Sequence, residues 1–126
     1  MPKCQNVDIK PTEINKLLDF ALKQEIDLTV VGPEDPLVMG IADRFREKGL
    51  PIVAPDQKAA ILEGSKLFAK RFMEKYKIPT AKLLGVFYGI EAVGKFIFRQ
   101  KKFPIVLKVD GLAAGKGVRI CHNRED

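Results

Sequence analysis

The chain has 126 residues, 46% hydrophobic and 30% charged, with a net charge of +6. That balance fits a globular chain with one ordinary core, or one small domain and part of another. No apolar run approaches the roughly 20 residues of a membrane span, Met1–Asn6 holds no apolar signal region, and Cys4 and Cys121 form neither a disulfide framework nor a zinc pattern, so a reducing cytoplasm is expected.

Taken in order, Asn6–Ile9 is a candidate strand stub. Thr12 is placed to cap a helix whose period runs through Ile14, Leu17, Leu18, Ala21 and Leu22. Leu28–Val31 reads as a buried strand, stopped by Gly32-Pro33. Leu37, Val38, Ile41, Ala42 and Phe45 predict a second helix over 37–48, with Gly49 as its C′ residue. Pro51–Ala54 is a second strand. Helix, strand, helix, strand is the rhythm of a parallel sheet with crossover helices.

Ala59–Leu62 predicts a short helical piece, broken at Gly64. Ser65 is the N-cap of the next helix, with Phe68, Phe72, Met73 and Tyr76 on one side. Lys82–Phe87 is a candidate strand, and Glu91–Gln100 reads as a helix weakened by Gly94. Ile105–Val109 and Val118–Cys121 are strands around a loop of small residues. A composition shift near Gly64 marks the best domain boundary.

The charge is unevenly spread. Residues 1–63 carry 8 Lys+Arg against 11 Asp+Glu, and residues 64–126 carry 14 against 5, so the net charges are −3 and +9. A basic second half suits an anionic partner. Its cations are scattered through helical and strand patterns, Trp is absent, and the phenylalanines fall at core-like spacings. That argues for a nucleotide and against nucleic acid.

Four pieces carry candidate chemistry. Gly32-Pro33-Glu34-Asp35-Pro36 ends a predicted parallel strand, where α/β sheets bind ligands. Its acids equally suit the positive end of the following helix. Lys66 follows the Ser65 cap, where a lysine faces the helix dipole unfavourably. A bound anion relieves that mismatch; a solvated lysine is the alternative. Lys108 lies in an apolar strand, where a covered lysine needs a partner. The alternative is an edge lysine whose head reaches water.

The fourth piece is the loop Gly111, Leu112, Ala113, Ala114, Gly115, Lys116, Gly117. Small residues let backbone N–H groups approach an anion closely. It is not a P-loop. The spacing G-x-x-x-G-K-G is one residue short, and Gly117 stands where Ser or Thr holds magnesium. A strand follows, so no helix N-terminus is offered. A hairpin flap over a triphosphate and a plain glycine hairpin both remain open.

Four stretches, in order, resemble one family: Leu-Thr-Val-Val-Gly-Pro-Glu-Asp-Pro-Leu-Val (28–38), Leu-Glu-Gly-Ser-Lys-Leu-Phe-Ala-Lys (62–70), Lys-Ile-Pro-Thr-Ala (77–81) and Val-Leu-Lys-Val-Asp-Gly-Leu-Ala-Ala-Gly-Lys-Gly-Val (106–118). They look like the glycinamide ribonucleotide synthetases, the phosphoribosylamine–glycine ligases of purine biosynthesis, in the ATP-grasp superfamily. The resemblance runs from about Asn6 to Ile120.

The resemblance implies an α/β fold, a partial Rossmann-like (pre-ATP-grasp) parallel sheet followed by the beginning of an ATP-grasp domain. Residues 1–63 would be the later part of the substrate-binding domain. Residues 64–126 would start the ATP-grasp domain, including flap 111–117. It implies ATP with Mg²⁺ (or Mn²⁺), and glycine and 5-phosphoribosylamine as substrates joined through glycyl phosphate. Lys66, Lys108 and Gly111–Gly117 would contact ATP, and Gly32, Pro33 and Glu34 would face the substrate. No nucleic acid or membrane partner is implied, and a monomer is one reading of the oligomeric state.

The departures are equally specific. The family's opening Gly-Gly-Arg-Glu-His turn, which binds the substrate phosphate, has no counterpart here. Its adenine clamp and metal carboxylates lie beyond the matched motifs, so no metal ligand is assigned in this chain. The expectation is an internal piece of the ligase, inactive alone. Another ATP-grasp carboxylate–amine ligase, or a non-catalytic nucleotide- or polyanion-binding module, are the alternatives.

Overall fold

The computed structural model describes residues 4–113 and 115–126. Expectations for Met1–Lys3 and for Ala114 lie outside the described residues. The chain divides into two units, Met1–Gly64 and Ser65–Asp126.

The first unit is α/β. Its elements are α1 (Ile14–Lys23), β1 (Thr29–Val30), α2 (Glu34–Val38), α3 (Ile41–Glu47), β2 (Ile52–Val53) and α4 (Gln57–Gly64). The two strands pair in parallel, Thr29 opposite Ile52 and Val30 opposite Val53. Ile14, Leu18 and Ala21 of α1 meet Ile41 and Phe45 of α3 in the core, with Val31, Leu37, Leu50 and Ile52 packed around them. The helical faces that bury are those the spacing predicts, except that Leu22, in the predicted apolar period of α1, is 46% exposed.

Three details differ from expectation. Thr12 is not the cap of α1; Glu13 is, and its carboxylate accepts from Lys10 N at 3.0 Å while pairing with Lys16. The Glu13 side chain makes no cap bond to the helix; its bonds to Lys10 N and Lys16 hold the chain at this entry instead. The stretch Asn6–Ile9 forms no strand; Ile9 N donates to Val7 O in a tight turn instead. The strand around Thr29 is covered on one side only, since Val30 is 70% and Val53 56% exposed. Side chains alternate across a strand, so Val31 and Ile52 meet the helices while these two point the other way.

The helix expected over 37–48 is two helices. Gly40 separates them in the left-handed region, at φ 84°. Only glycine takes that backbone without a Cβ penalty. Gln57 Nε2 then donates to Val38 O at 2.9 Å, capping the end that the break exposes. Gly49 ends α3 as expected, at φ 70°, with Gly49 N donating to Arg46 O and Leu50 N to Phe45 O. That double bond is the Schellman arrangement, and it brings Leu50 into the core beside Phe45.

The second unit holds α5 (Lys66–Lys75), α6 (Ile90–Phe98) and the antiparallel pair β3 (Ile105–Lys108) and β4 (Val118–Cys121). Ile105 opposes Cys121 on the buried side, and Ile97 of α6 is buried as well. No strand forms at Lys82–Phe87. The described part of this unit offers only the β3–β4 hairpin, and an extended segment without a ladder partner gains little. Phe87 turns back against Gly85, where an added Cβ would lie 2.5 Å from its ring, and it packs on Phe96 at 4.6 Å between centroids. The α5 aromatics Phe68, Phe72 and Tyr76 form a ladder along the helix, yet no residue of α5 is fully buried.

Candidate functional site

The glycine loop sits between β3 and β4. The ladder runs from Ile105–Cys121 to Lys108–Val118, and Val109 N donates to Gly117 O at 2.8 Å beyond it. Lys116 N donates to Ala113 O at 2.8 Å, which turns the loop back. Gly111 and Gly115 have φ of 86° and 76°. Gly117 has a different reason to be glycine: a Cβ there would lie 2.7 Å from that of Ala113. The loop is thus a hairpin-borne turn, as the flanking strands predict.

Lys66 and this loop meet. Ser65 caps α5, its hydroxyl accepting from Phe68 N at 3.0 Å. Lys66 Nζ donates to the carbonyl of Gly111, across 45 residues of sequence. The anion expected at this helix end is the chain's own Asp110. Its carboxylate accepts from Leu67 N at 3.1 Å and from Ser65 Oγ at 3.1 and 3.2 Å. Lys66 is therefore neither merely solvated nor waiting beside an empty helix end. Its ammonium has a neutral carbonyl as partner, and no carboxylate lies within ion-pair distance of it among the described residues.

Asp110 was not singled out by its sequence. Its signal is there: it is the only acid between Glu91 and Glu125, in a stretch otherwise rich in lysine and arginine. The amide of Leu67 holds its carboxyl below the ordinary aspartate range; partial desolvation opposes this, and the Gly111 and Lys66 amides and the Ser65 hydroxyl reinforce it. A depressed folded value adds stability above the unfolded pKa, which is lost as pH falls through the folded one. The contacts of Asp110 are therefore expected to persist at pH 5–7 and to open only below the ordinary value of about 3.9. A carboxyl ¹³C titration should give its midpoint below the ordinary aspartate value of about 3.9. A midpoint at or above the ordinary aspartate value overturns the assignment.

Lys108 is exposed, not covered as its apolar neighbours suggested. The register explains it. Val106, Lys108, Val118 and Ile120 share one face of the hairpin, and Val106, Val118 and Ile120 are all about half exposed. The opposite face, with Ile105 and Cys121, is the buried one. Lys116 and Gly115 are exposed in the loop, as is Leu112, while Gly111, Ala113 and Gly117 are half-buried.

Gly32, Pro33 and Glu34 belong to the first unit. They are exposed at the end of β1, and Pro33 is the N-cap of α2. Glu34 and Asp35 occupy the first turn of that helix, where their charges oppose the positive end of its dipole. Both cysteines are free. Among the described residues no group of three or more His, Cys, Asp or Glu stands together, and no helix is long and apolar enough to cross a membrane.

Comparison with known proteins identifies the family of both halves of the chain. The family model for the phosphoribosylglycinamide synthetase N domain matches residues 1–63, and the model for the ATP-grasp (A) domain of the same synthetase matches residues 64–126. The chain is 52% identical over 121 residues to a phosphoribosylamine–glycine ligase of Clostridium acetobutylicum. It is 51% identical over 125 residues to that of Escherichia coli K12. These alignments cover 96% and 99% of this chain but only 28% and 29% of the relatives. The chain thus spans under a third of their length.

Among solved structures, it resembles the biotin carboxylase domain of a Hydrogenobacter thermophilus 2-oxoglutarate carboxylase, determined with MgADP, ADP and bicarbonate. The TM-score is 0.71 at 25% identity, over 94% of this chain and 27% of that one. The biotin carboxylase subunit of a pyruvate carboxylase gives a TM-score of 0.52 at 25% identity, over 94% and 28%. With its two halves matched in order by the two domain models, the chain belongs to the phosphoribosylglycinamide synthetase family.

Proposed function

We propose that these residues serve an ATP-dependent ligase that joins glycine to 5-phosphoribosylamine, giving glycinamide ribonucleotide, ADP and phosphate. The observation that supports this reading most directly is the meeting of Lys66 with Gly111, which joins Lys66 to the base of the glycine loop within one unit. In this reading residues 1–63 belong to the substrate-binding domain and residues 64–126 begin the ATP-grasp domain.

The chemistry needed is activation of a carboxylate. ATP supplies a phosphoryl group, which converts the glycine carboxylate to an acyl phosphate that an amine can attack. The tasks left to the protein are charge neutralisation, positioning and exclusion of water. Lys66 and Lys108 are the point charges for the phosphates. The Gly111–Gly117 loop, with Lys116 in it, brings backbone close to the triphosphate and shields it from water. Gly32, Pro33 and Glu34 serve the substrate side. The described acids do not form a Mg²⁺ cradle, and no step is assigned through the metal to residues of this chain.

The reading places the reaction in the cytoplasm and requires neither nucleic acid nor a membrane. A monomer suffices. The test is release of ADP and phosphate by the full-length enzyme that carries these residues. Release should require glycine and phosphoribosylamine together. Turnover with a different acid–amine pair would assign another carboxylate–amine ligase. Salt-sensitive ATP binding without turnover would overturn the enzymatic reading.

A further inference from the structure

We propose that Asp110 is a positioning residue for the nucleotide site, fastening the base of the glycine loop to the first turn of α5 so that Lys66 and the loop meet phosphate as one piece. This rests on the reading of Lys66 and the loop as nucleotide-binding.

Three contacts run in parallel between two short stretches far apart in sequence. Asp110 accepts from Leu67 N and from the Ser65 hydroxyl, and Lys66 Nζ donates to the next carbonyl, that of Gly111. Ser65 adds a relay, since its oxygen also accepts from Phe68 N. Residues 65–67 and 110–111 are thereby clasped side by side. The clasp lies at the loop's pivot, because Gly111 is the residue that enters left-handed backbone, at φ 86°. A carboxylate anchored directly before that pivot fixes where the loop starts.

The charges are arranged to match. A carboxylate beside a phosphate site would repel its ligand if left to itself. Here it lies at the positive end of α5 and is held by backbone N–H groups, which offset its charge. Because Asp110 occupies the helix end, that end is not what receives the phosphate. Because Lys66 is held by a neutral carbonyl, its positive charge remains available. Asp110 thus directs the lysine without neutralising it.

The experiment compares Asp110→Ala, Asp110→Asn, Lys66→Met and the double variant Asp110→Ala/Lys66→Met in the full-length enzyme, with thermal melts alongside. Asp110→Ala should raise the KM for ATP about tenfold or more and leave that for glycine within twofold. Asp110→Asn keeps an oxygen that can accept from Leu67 N and should recover most of the loss. The double variant should be little worse than Lys66→Met alone, since residues acting as one unit are not additive. An ATP KM for Asp110→Asn and Asp110→Ala within twofold of wild type, with only the melting temperature lowered, makes Asp110 structural and overturns the proposal. So do effects that multiply in the double variant. If Lys66→Met alone leaves the ATP KM unchanged, it is the nucleotide reading of Lys66 that fails, and the proposal with it; that arm does not depend on Asp110.

Discussion

On the proposed ligase reading, replacing Lys108 with alanine is expected to raise the ATP KM of the full-length protein by about ten- to a hundredfold, because a hydrogen bond to a charged group contributes about 1.5–3 kcal/mol and each 1.4 kcal/mol is tenfold. The folded chain should hardly notice. Lys108 is exposed, and among the described residues its ammonium makes no hydrogen bond or ion pair. Exposed substitutions of this kind fall within about 0.5 kcal/mol of neutral. Its backbone, by contrast, is fixed. It is the last β3 residue in the ladder, opposite Val118, and Val109 N closes the mouth of the loop on Gly117 O. The hairpin therefore presents a lysine whose position is set and whose charge is unused. Lys101→Ala removes an exposed lysine from the same basic half, outside any strand, and should leave the ATP KM within twofold. Equal effects of the two variants would mean that only bulk positive charge matters. Lys108→Arg should recover part of the affinity, since it keeps the charge but not the compact ammonium.

How far the sequence could be read depended on how local the governing physics was. The α1 and α3 faces were legible because Ile14, Leu18, Ala21, Ile41 and Phe45 keep a helical period, and burial follows period. Ser65 and Gly49 were legible because capping is decided within a few residues. Gly40 was not, since the apolar period passes through it from Leu37 to Phe45 without interruption. What stops the helix there is partly remote, a Gln57 side chain bonded to Val38 O. Lys108 misled for a related reason. An alternating strand exposes one face, but which face is covered depends on what packs there, and this hairpin covers only the Ile105 side. Asp110 was the largest omission. The mismatch of Lys66 with its helix dipole was visible, and so was the need for an anion. That the anion comes from the chain itself, 43 residues from Leu67, is a tertiary fact. No spacing rule connects the two motifs.

Phe45→Ala should be the most damaging single change to the first unit. Phe45 is 1% exposed, among the largest fully buried side chains, and it closes the cluster between α1 and α3. Truncating a buried Phe costs about 3–5 kcal/mol, part for lost transfer and part for the cavity left behind. Whole domains are stable by only about 5–15 kcal/mol. A core with so few fully buried residues has little margin, and Phe45 also anchors the turn that follows, since its carbonyl accepts from Lys48 N and Leu50 N. Alanine keeps that carbonyl, but Leu50 and Ile52 pack against the same cluster, so loss of the ring loosens them as well as the helix pair. Leu22→Ala on the outer side of α1 is the matched control. Leu22 is 46% exposed and alanine is the better helix former, so it should cost under about 1 kcal/mol. Urea titration followed by far-ultraviolet circular dichroism reads both. Phe45→Ala should lose the first transition or shift it to far lower denaturant, while Leu22→Ala stays close to wild type. If the two shift alike, the centre of the core is not between α1 and α3.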